Sequence, residues 1–309
     1  MKPSFLQASC KKLFTWLAFA LLGFSVLVNV SGFITGAGAV LSAWLGISDI
    51  AAKLLFYVVA ASVVFVGMKL VGLCEKIAVF SMATVIGILV IATFAHGVEP
   101  ISAKFVSGGN VLALFSMISF SLSAVMSVPQ VVKGLDGDVK KIRSAIAAGT
   151  GINLFLVLII TLITLLGVGS SITENGALVD LSAKLGGWVG VVGYVFSMLA
   201  LATSFWANTL NLRDIVNEQM HWGTRISWAV ASLPSLCVAL VGVASFVGFT
   251  RMAGVVHVLT GVGVIVAYNR SRHREGHSLI CGRAGTLPLQ ALVVIASLAS
   301  TIGSLVAIK

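Results

Sequence analysis

The chain has 309 residues, 58% hydrophobic and only 10% charged, with a net charge of +10 and a mean hydropathy of +1.08. A soluble domain of this length needs charge to cover its surface, so the bilayer is the solvent. Strict apolar–polar alternation, the mark of a membrane β-barrel, is absent, and each span must therefore satisfy its own backbone as a helix. The basic residues sit in short gaps between apolar runs rather than along one face, which excludes nucleic acid and leaves membrane lipid as the surrounding phase. Cys10, Cys74, Cys237 and Cys281 are scattered singly, so neither a disulfide framework nor a zinc site is indicated.

A span takes about 20 apolar residues. The charged gaps divide the chain into nine, at 13–46, 54–73, 77–95, 110–132, 144–169, 187–210, 226–247, 252–269 and 287–308. The expected architecture is a single all-α integral membrane domain over residues 1–309 with about nine transmembrane helices. The lysines of "MKPSFLQASCKK" precede an apolar run far longer than the core of a cleaved signal peptide, so that run reads as the first span. Of the 20 basic residues, 15 fall in alternate gaps beginning with the N-terminal tail and 5 in the others. Positive charge stays cytoplasmic, which puts the N-terminus inside and the C-terminus outside.

In chain order, the first span carries Gly36 and Gly38, with Gly32 and Gly36 spaced G-x-x-x-G. These glycines serve either close approach to a ligand or packing against a neighbouring helix. The fourth span holds "SFSLSAVMSVPQ", in which Ser119, Ser121, Ser123 and Ser127 crowd in front of Pro129. Proline removes a helical hydrogen bond and disfavours helical geometry in Val128 before it. The stretch is either a kink whose freed groups the serines satisfy, or a discontinuous helix of the kind that binds substrate near the midplane. In the sixth span, Thr203, Ser204 and Asn208 lie within a turn and a half, with Ser204 and Asn208 on one face. They line a site or bond to a neighbouring helix. Asp214 follows Arg213 near the cytoplasmic edge, as a gate or structural ion pair. His257 is the only ionisable residue well inside a span, about 9 Å from its outer end, as a proton relay or a vestibule residue. His273 and His277 lie in a basic loop without acidic ligands, so no metal is expected.

The loop after the fourth span, "KGLDGDVKKIRSAIAAGTG", brings a resemblance into view. The chain resembles the hydroxy and aromatic amino acid permeases, bacterial proton-coupled symporters of the amino acid–polyamine–organocation superfamily. Members carry a pattern like S-F-G-F-H-x-S-V/I-P, then R-x-x-I/V-x-x-G-x-x-I/V-P. Here the matching positions run from Ser121 to Pro129, then Arg143, Ile146, Gly149, Ile152 and Asn153. "LALATSFWANTLNLRDIV" is similar to the family's L-A-L-A-T-S-F-x-x-x-x-L-x-L-x-D, ending at Asp214, and "FITGAGAVL" is similar to Y-I/V-S-G-G-G-x-I/V-L. Where the family reads Gly-Phe-His-Gly, this chain has Ser123, Ala124, Val125 and Met126, and Asn153 replaces a usual proline.

The resemblance implies a fold of five helices, an inverted repeat of five and one more, with substrate between broken first and sixth helices and the third and eighth lining the site. The nine spans would then be the third to eleventh helices, an N-terminally incomplete set. It implies an amino acid substrate, aromatic (tyrosine or tryptophan) before serine or threonine. No cofactor is implied; the proton gradient of a bacterial inner membrane is the driving force. On that alignment Ser119, Ser121, Ser123, Ser127, Gly36, Gly38, Thr203, Ser204 and Asn208 are the substrate-binding candidates, with His257 and Asp214 as relay or gate. The competing expectation is a non-transporting remnant or split subunit, which a partner's complementing helices or a homo-oligomer would complete. No H-E-x-x-H, buried acidic pair or well-placed G-x-S-x-G supports an enzyme.

Overall fold

The computed structural model describes residues 5–100, 107–123, 127–169, 180–181, 184–255, 257–274 and 285–306. Lys104, His277, Cys281, Lys309 and residues 124–126 of the serine-rich motif lie outside them. Eleven helices and no strand are found among the described residues: α1 (Phe5–Leu45), α2 (Asp49–Val66), α3 (Met68–His96), α4 (Gly108–Ser121), α5 (Val128–Gly134), α6 (Val139–Val168), α7 (Gly187–Met220), α8 (Thr224–Val241), α9 (Phe246–Val255), α10 (His257–Arg274) and α11 (Leu287–Leu305). Seven of these are long and apolar enough to cross a membrane: α1 over Phe19–Leu45, α2, α3, α6, α7, α8 and α11. The protein is an all-α integral membrane protein.

Three expected boundaries move, each for a physical reason. The second span ends at Gly67 rather than 73, because Gly67 takes φ +118°, a conformation that side chains resist, and Lys69 and Lys76 become part of α3. The sixth span runs on as a helix to Met220, ten residues beyond its apolar stretch, and stops where His221 adopts a left-handed conformation. The fourth span is interrupted after Ser121 and resumes as the short α5. The eighth span lies in α9 and α10, which are described on either side of residue 256. The basic tail of α10, with Arg270, Arg272 and Arg274, lowers its apolar character.

The chain forms two compact units. One comprises Met1–Asn29, Val106–Ser121 and Val247–Lys309; the other comprises Val30–Phe105 and Leu122–Phe246. In the first, α11 packs on α4 and on α10. In the second, α7 packs on α2, α3 and α8, α2 also meets α8, and α3 meets α6. Lipid is as apolar as a leucine side chain, so packing and interhelical hydrogen bonds, rather than burial from water, hold such helices together. The α2–α8 seam follows that logic: Ala60 and Ala61 on α2 and Ala231, Ser232 and Ser235 on α8 are small and buried, which suits a close approach of the backbones. Across the seam Tyr57 and Ser232 share a 3.0 Å hydroxyl hydrogen bond, and Trp228 Nε1 donates to the Ala61 carbonyl at 3.0 Å. Ser31 of α1 donates to the Ser235 carbonyl at 3.1 Å. Each such bond contributes about 0.6 kcal/mol in a membrane protein. Phe205 of α7 is fully buried, with Phe56 and Tyr57 edge-on to it at 5.7 and 6.3 Å. A second cluster, Leu89, Ile163, Val168, Leu181, Leu185 and Val189, closes the α3–α6–α7 side.

Candidate functional site

The interruption in the fourth span sets the geometry. Pro129 stands in the first turn of α5, where its missing N–H is one the helix leaves unpaired anyway. A proline that would kink a continuous helix here starts a new one. Ser127 immediately precedes α5, half-buried, and makes no capping hydrogen bond through its side chain. Upstream, Ser121 is exposed and donates to the Ile118 carbonyl at 2.9 Å, and Ser119 is half-buried. Ser123 is exposed in irregular backbone. The division between the two units falls at the same place, so Ser119 and Ser121 belong to one unit and Ser123 and Ser127 to the other.

Within the second unit, α5 is tied to α7. Gln130 Nε2 donates to the Ala207 carbonyl at 3.4 Å, and Lys133 Nζ donates to Glu218 Oε1 at 2.7 Å with Asp214 Oδ2 3.7 Å away. Both contacts advance along the two helices in the same direction. Ser127 precedes Gln130 by three residues, and the Thr203–Ser204 pair precedes Ala207 by three to four. Thr203 and Ser204 both donate to the Ala200 carbonyl, at 3.0 and 2.8 Å, and Asn208 Nδ2 donates to the Ser204 carbonyl at 2.9 Å. All three donations stay within α7 rather than reaching a neighbouring helix.

Gly36 meets the same helix. A Cβ there would come within 2.9 Å of Phe246 and 3.4 Å of Leu201, so its bareness is what lets α1 lie on the α7 face that continues to Ser204 and Asn208. Gly38 is not part of that contact. It faces α2, where a Cβ would fall 2.5 Å from Lys53 Cγ. His257 is helical, at the start of the described part of α10, and residue 256 before it lies outside the described residues. Asp214 is held by its neighbour: Arg213 Nε and Nη2 donate to Oδ1 at 3.1 and 2.8 Å, while Nη1 reaches the Val64 carbonyl at the end of α2, 3.0 Å away. The Lys133 ammonium is held above its ordinary range, chiefly by its hydrogen bond to Glu218.

Several polar residues escaped the sequence reading. Lys53, assigned to a loop, is 5% exposed in α2, pairs with Asp49 at 2.6 Å and donates to the Ala239 carbonyl at 3.1 Å, near the end of α8. Its i,i+4 spacing from Asp49 was the available signal. Gln130, Lys133 and Glu218 were hidden because their partners are distant in sequence. Trp206 Nε1 and Thr209 Oγ1 on α7, and Thr35 Oγ1 beside Gly36, are buried with no partner among the described residues. Buried polar atoms are ordinarily paired with protein or with ordered water, so each of these three can take a water or a ligand group. Among the described residues no group of three or more His, Cys, Asp or Glu side chains gathers to hold a metal.

Compared with known protein families, the chain matches one, described as the tryptophan/tyrosine permease family, over residues 6–300. No curated protein and no solved structure matches it.

Proposed function

Because the chain belongs to the tryptophan/tyrosine permease family, it is a multi-pass membrane protein for amino acid transport, and we propose that it carries tyrosine and tryptophan by proton symport. The membrane is a bacterial inner membrane, with the N-terminus cytoplasmic and the C-terminus outside. The observation that carries the site is the helix interruption between Ser121 and Val128, whose downstream helix reaches α7 through Gln130 and Lys133. Ser127, Ser204 and Asn208 then contact the substrate, with Gly36 leaving room for it. Trp206, Thr209 and Thr35 hold unpaired polar atoms nearby in sequence on the same two helices.

The orientation draws support from the ion pairs and carbonyl bonds. Lys184 pairs with Glu99 at 2.6 Å, linking two gaps that the charge count assigns outside. Lys133 with Glu218, and Arg213 with the end of α2, link gaps that it assigns inside. Lys53 and Ala239 lie toward span ends that it assigns outside.

Uptake of labelled tyrosine, tryptophan, phenylalanine and serine by proteoliposomes tests this reading. Tyrosine and tryptophan should accumulate when an inward proton gradient is imposed and stop when a protonophore collapses it. Accumulation that ignores the protonophore would remove proton coupling. Preferential uptake of serine would replace the aromatic class.

A further inference from the structure

A cleft inside the first unit, between α4, α9 and α11, has no part in the reading above. Its floor is a close crossing: a Cβ on Gly303 would strike the Leu112 carbonyl and come within 3.0 Å of Ser116 Cβ, so α11 lies directly on α4. Met117 and Phe120 of α4 and Val247 of α9 supply apolar lining, and Ser116, Ser304 and Arg251 supply polar groups. Ser304 spends its proton on the Thr301 carbonyl at 2.7 Å. Arg251 and Ser116 have no hydrogen-bond or ion-pair partner among the described residues, and Arg251 is exposed.

The chemistry selects the occupant. No acidic side chain lines the cleft, so the ammonium of a zwitterion finds no counter-charge there. A guanidinium beside a free hydroxyl suits a phosphate, which it can bind with two parallel hydrogen bonds. Met117 and Val247 are 42% and 46% exposed, so the apolar lining opens outward. Arg251 lies in one of the charged gaps that bound the spans, the level at which a bilayer presents its phosphates. The empty space of about 340 Å³ includes open solvent, so the cleft is a shallow groove along which part of a lipid lies rather than a cavity that encloses one. We propose that this cleft binds a membrane phospholipid, its phosphate on Arg251 and Ser116 and the first part of an acyl chain along Met117, Phe120 and Val247.

The proposal does not depend on transport, and its test needs none. The purified full chain, loaded with phosphatidylglycerol and passed through mild detergent exchange, is examined by native mass spectrometry for retained lipid. Wild type should keep phosphatidylglycerol and should not keep diacylglycerol, which lacks the phosphate. Arg251→Gln should lower retention about tenfold and Arg251→Lys less than threefold, as loss of an ion-paired contact predicts. Met117→Trp, which fills the apolar wall and leaves Arg251 in place, should lower retention as well. Equal retention by Arg251→Gln overturns the proposal, as does displacement of the lipid by millimolar tryptophan or inorganic phosphate. If Arg251→Gln does not fold, Met117→Trp decides, and unchanged retention there is equally fatal.

Discussion

At position 53 an ammonium sits among apolar neighbours, held by the Asp49 carboxylate and the Ala239 carbonyl, with its stem laid across Gly38. Removing one partner of a buried ionic contact costs more than the contact contributes, because the other group is left without a partner. Asp49 is half exposed at its side chain (52%), which lets water take over part of that role. Lys53→Met should therefore destabilise the chain by about 2 kcal/mol, below the range for a fully buried pair, seen as a lower melting temperature in detergent. Gly38→Ala should act through the same residue by displacing the Lys53 stem. It should lose little further stability when combined with Lys53→Met, and additive losses would separate the two effects. Arg213 does the same work on the opposite side of the bundle, satisfying the Val64 carbonyl where α2 ends.

At the scale of the element, the apolar runs and charged gaps were legible in the sequence because lipid forces helices to be long and uncharged. Their ends were less so. Charge marks where a helix leaves the membrane, but glycine at positive φ decides where it stops, as at Gly67, and α7 continues well past its last apolar turn. The interruption in the fourth span was legible as a possibility from Pro129 alone. What makes it an interruption rather than a kink is that Leu122 and Ser123 leave helical geometry, while the partners of Gln130 and Lys133 were hidden because they lie far along the chain. Ser121 and Ser123 are both exposed beside this interruption. Cysteines placed singly at these positions should react with a membrane-impermeant thiol reagent, and tryptophan should slow the reaction. Inert cysteines together with normal uptake would mean that the stretch faces lipid.

At the scale of the whole molecule, sidedness follows from charge. Cysteines introduced next to Lys140 and Lys184 should label from opposite sides of the membrane; labelling of both from one side would break the alternation. The Lys184–Glu99 pair adds a pH dependence. The hydrogen bond from Lys184, and then its charge, hold the Glu99 carboxyl below its usual range. A carboxyl lowered by folding contributes stability above its unfolded value, and that contribution is lost as pH falls through the folded one. Lys184→Met should thus lower the melting temperature slightly at pH 7, and its difference from wild type should vanish as the pH drops below the ordinary carboxylate range. A difference that persists in acid would assign the effect to packing.

The hydroxyls of Thr203 and Ser204 have both given their protons to one carbonyl, that of Ala200. Where they line the substrate's path, as proposed, what they turn toward it is electron density without hydrogen. A surface of that kind discriminates by ionic form: it attracts a protonated amine and has nothing to give an oxygen anion. Tryptamine, which keeps the amine and lacks the acid, should therefore compete with tryptophan for the transporter. Indole-3-propionate, which keeps the acid and lacks the amine, should fail to compete at any concentration that leaves the bilayer intact, and effective competition by it would mean that these two hydroxyls turn away from the substrate.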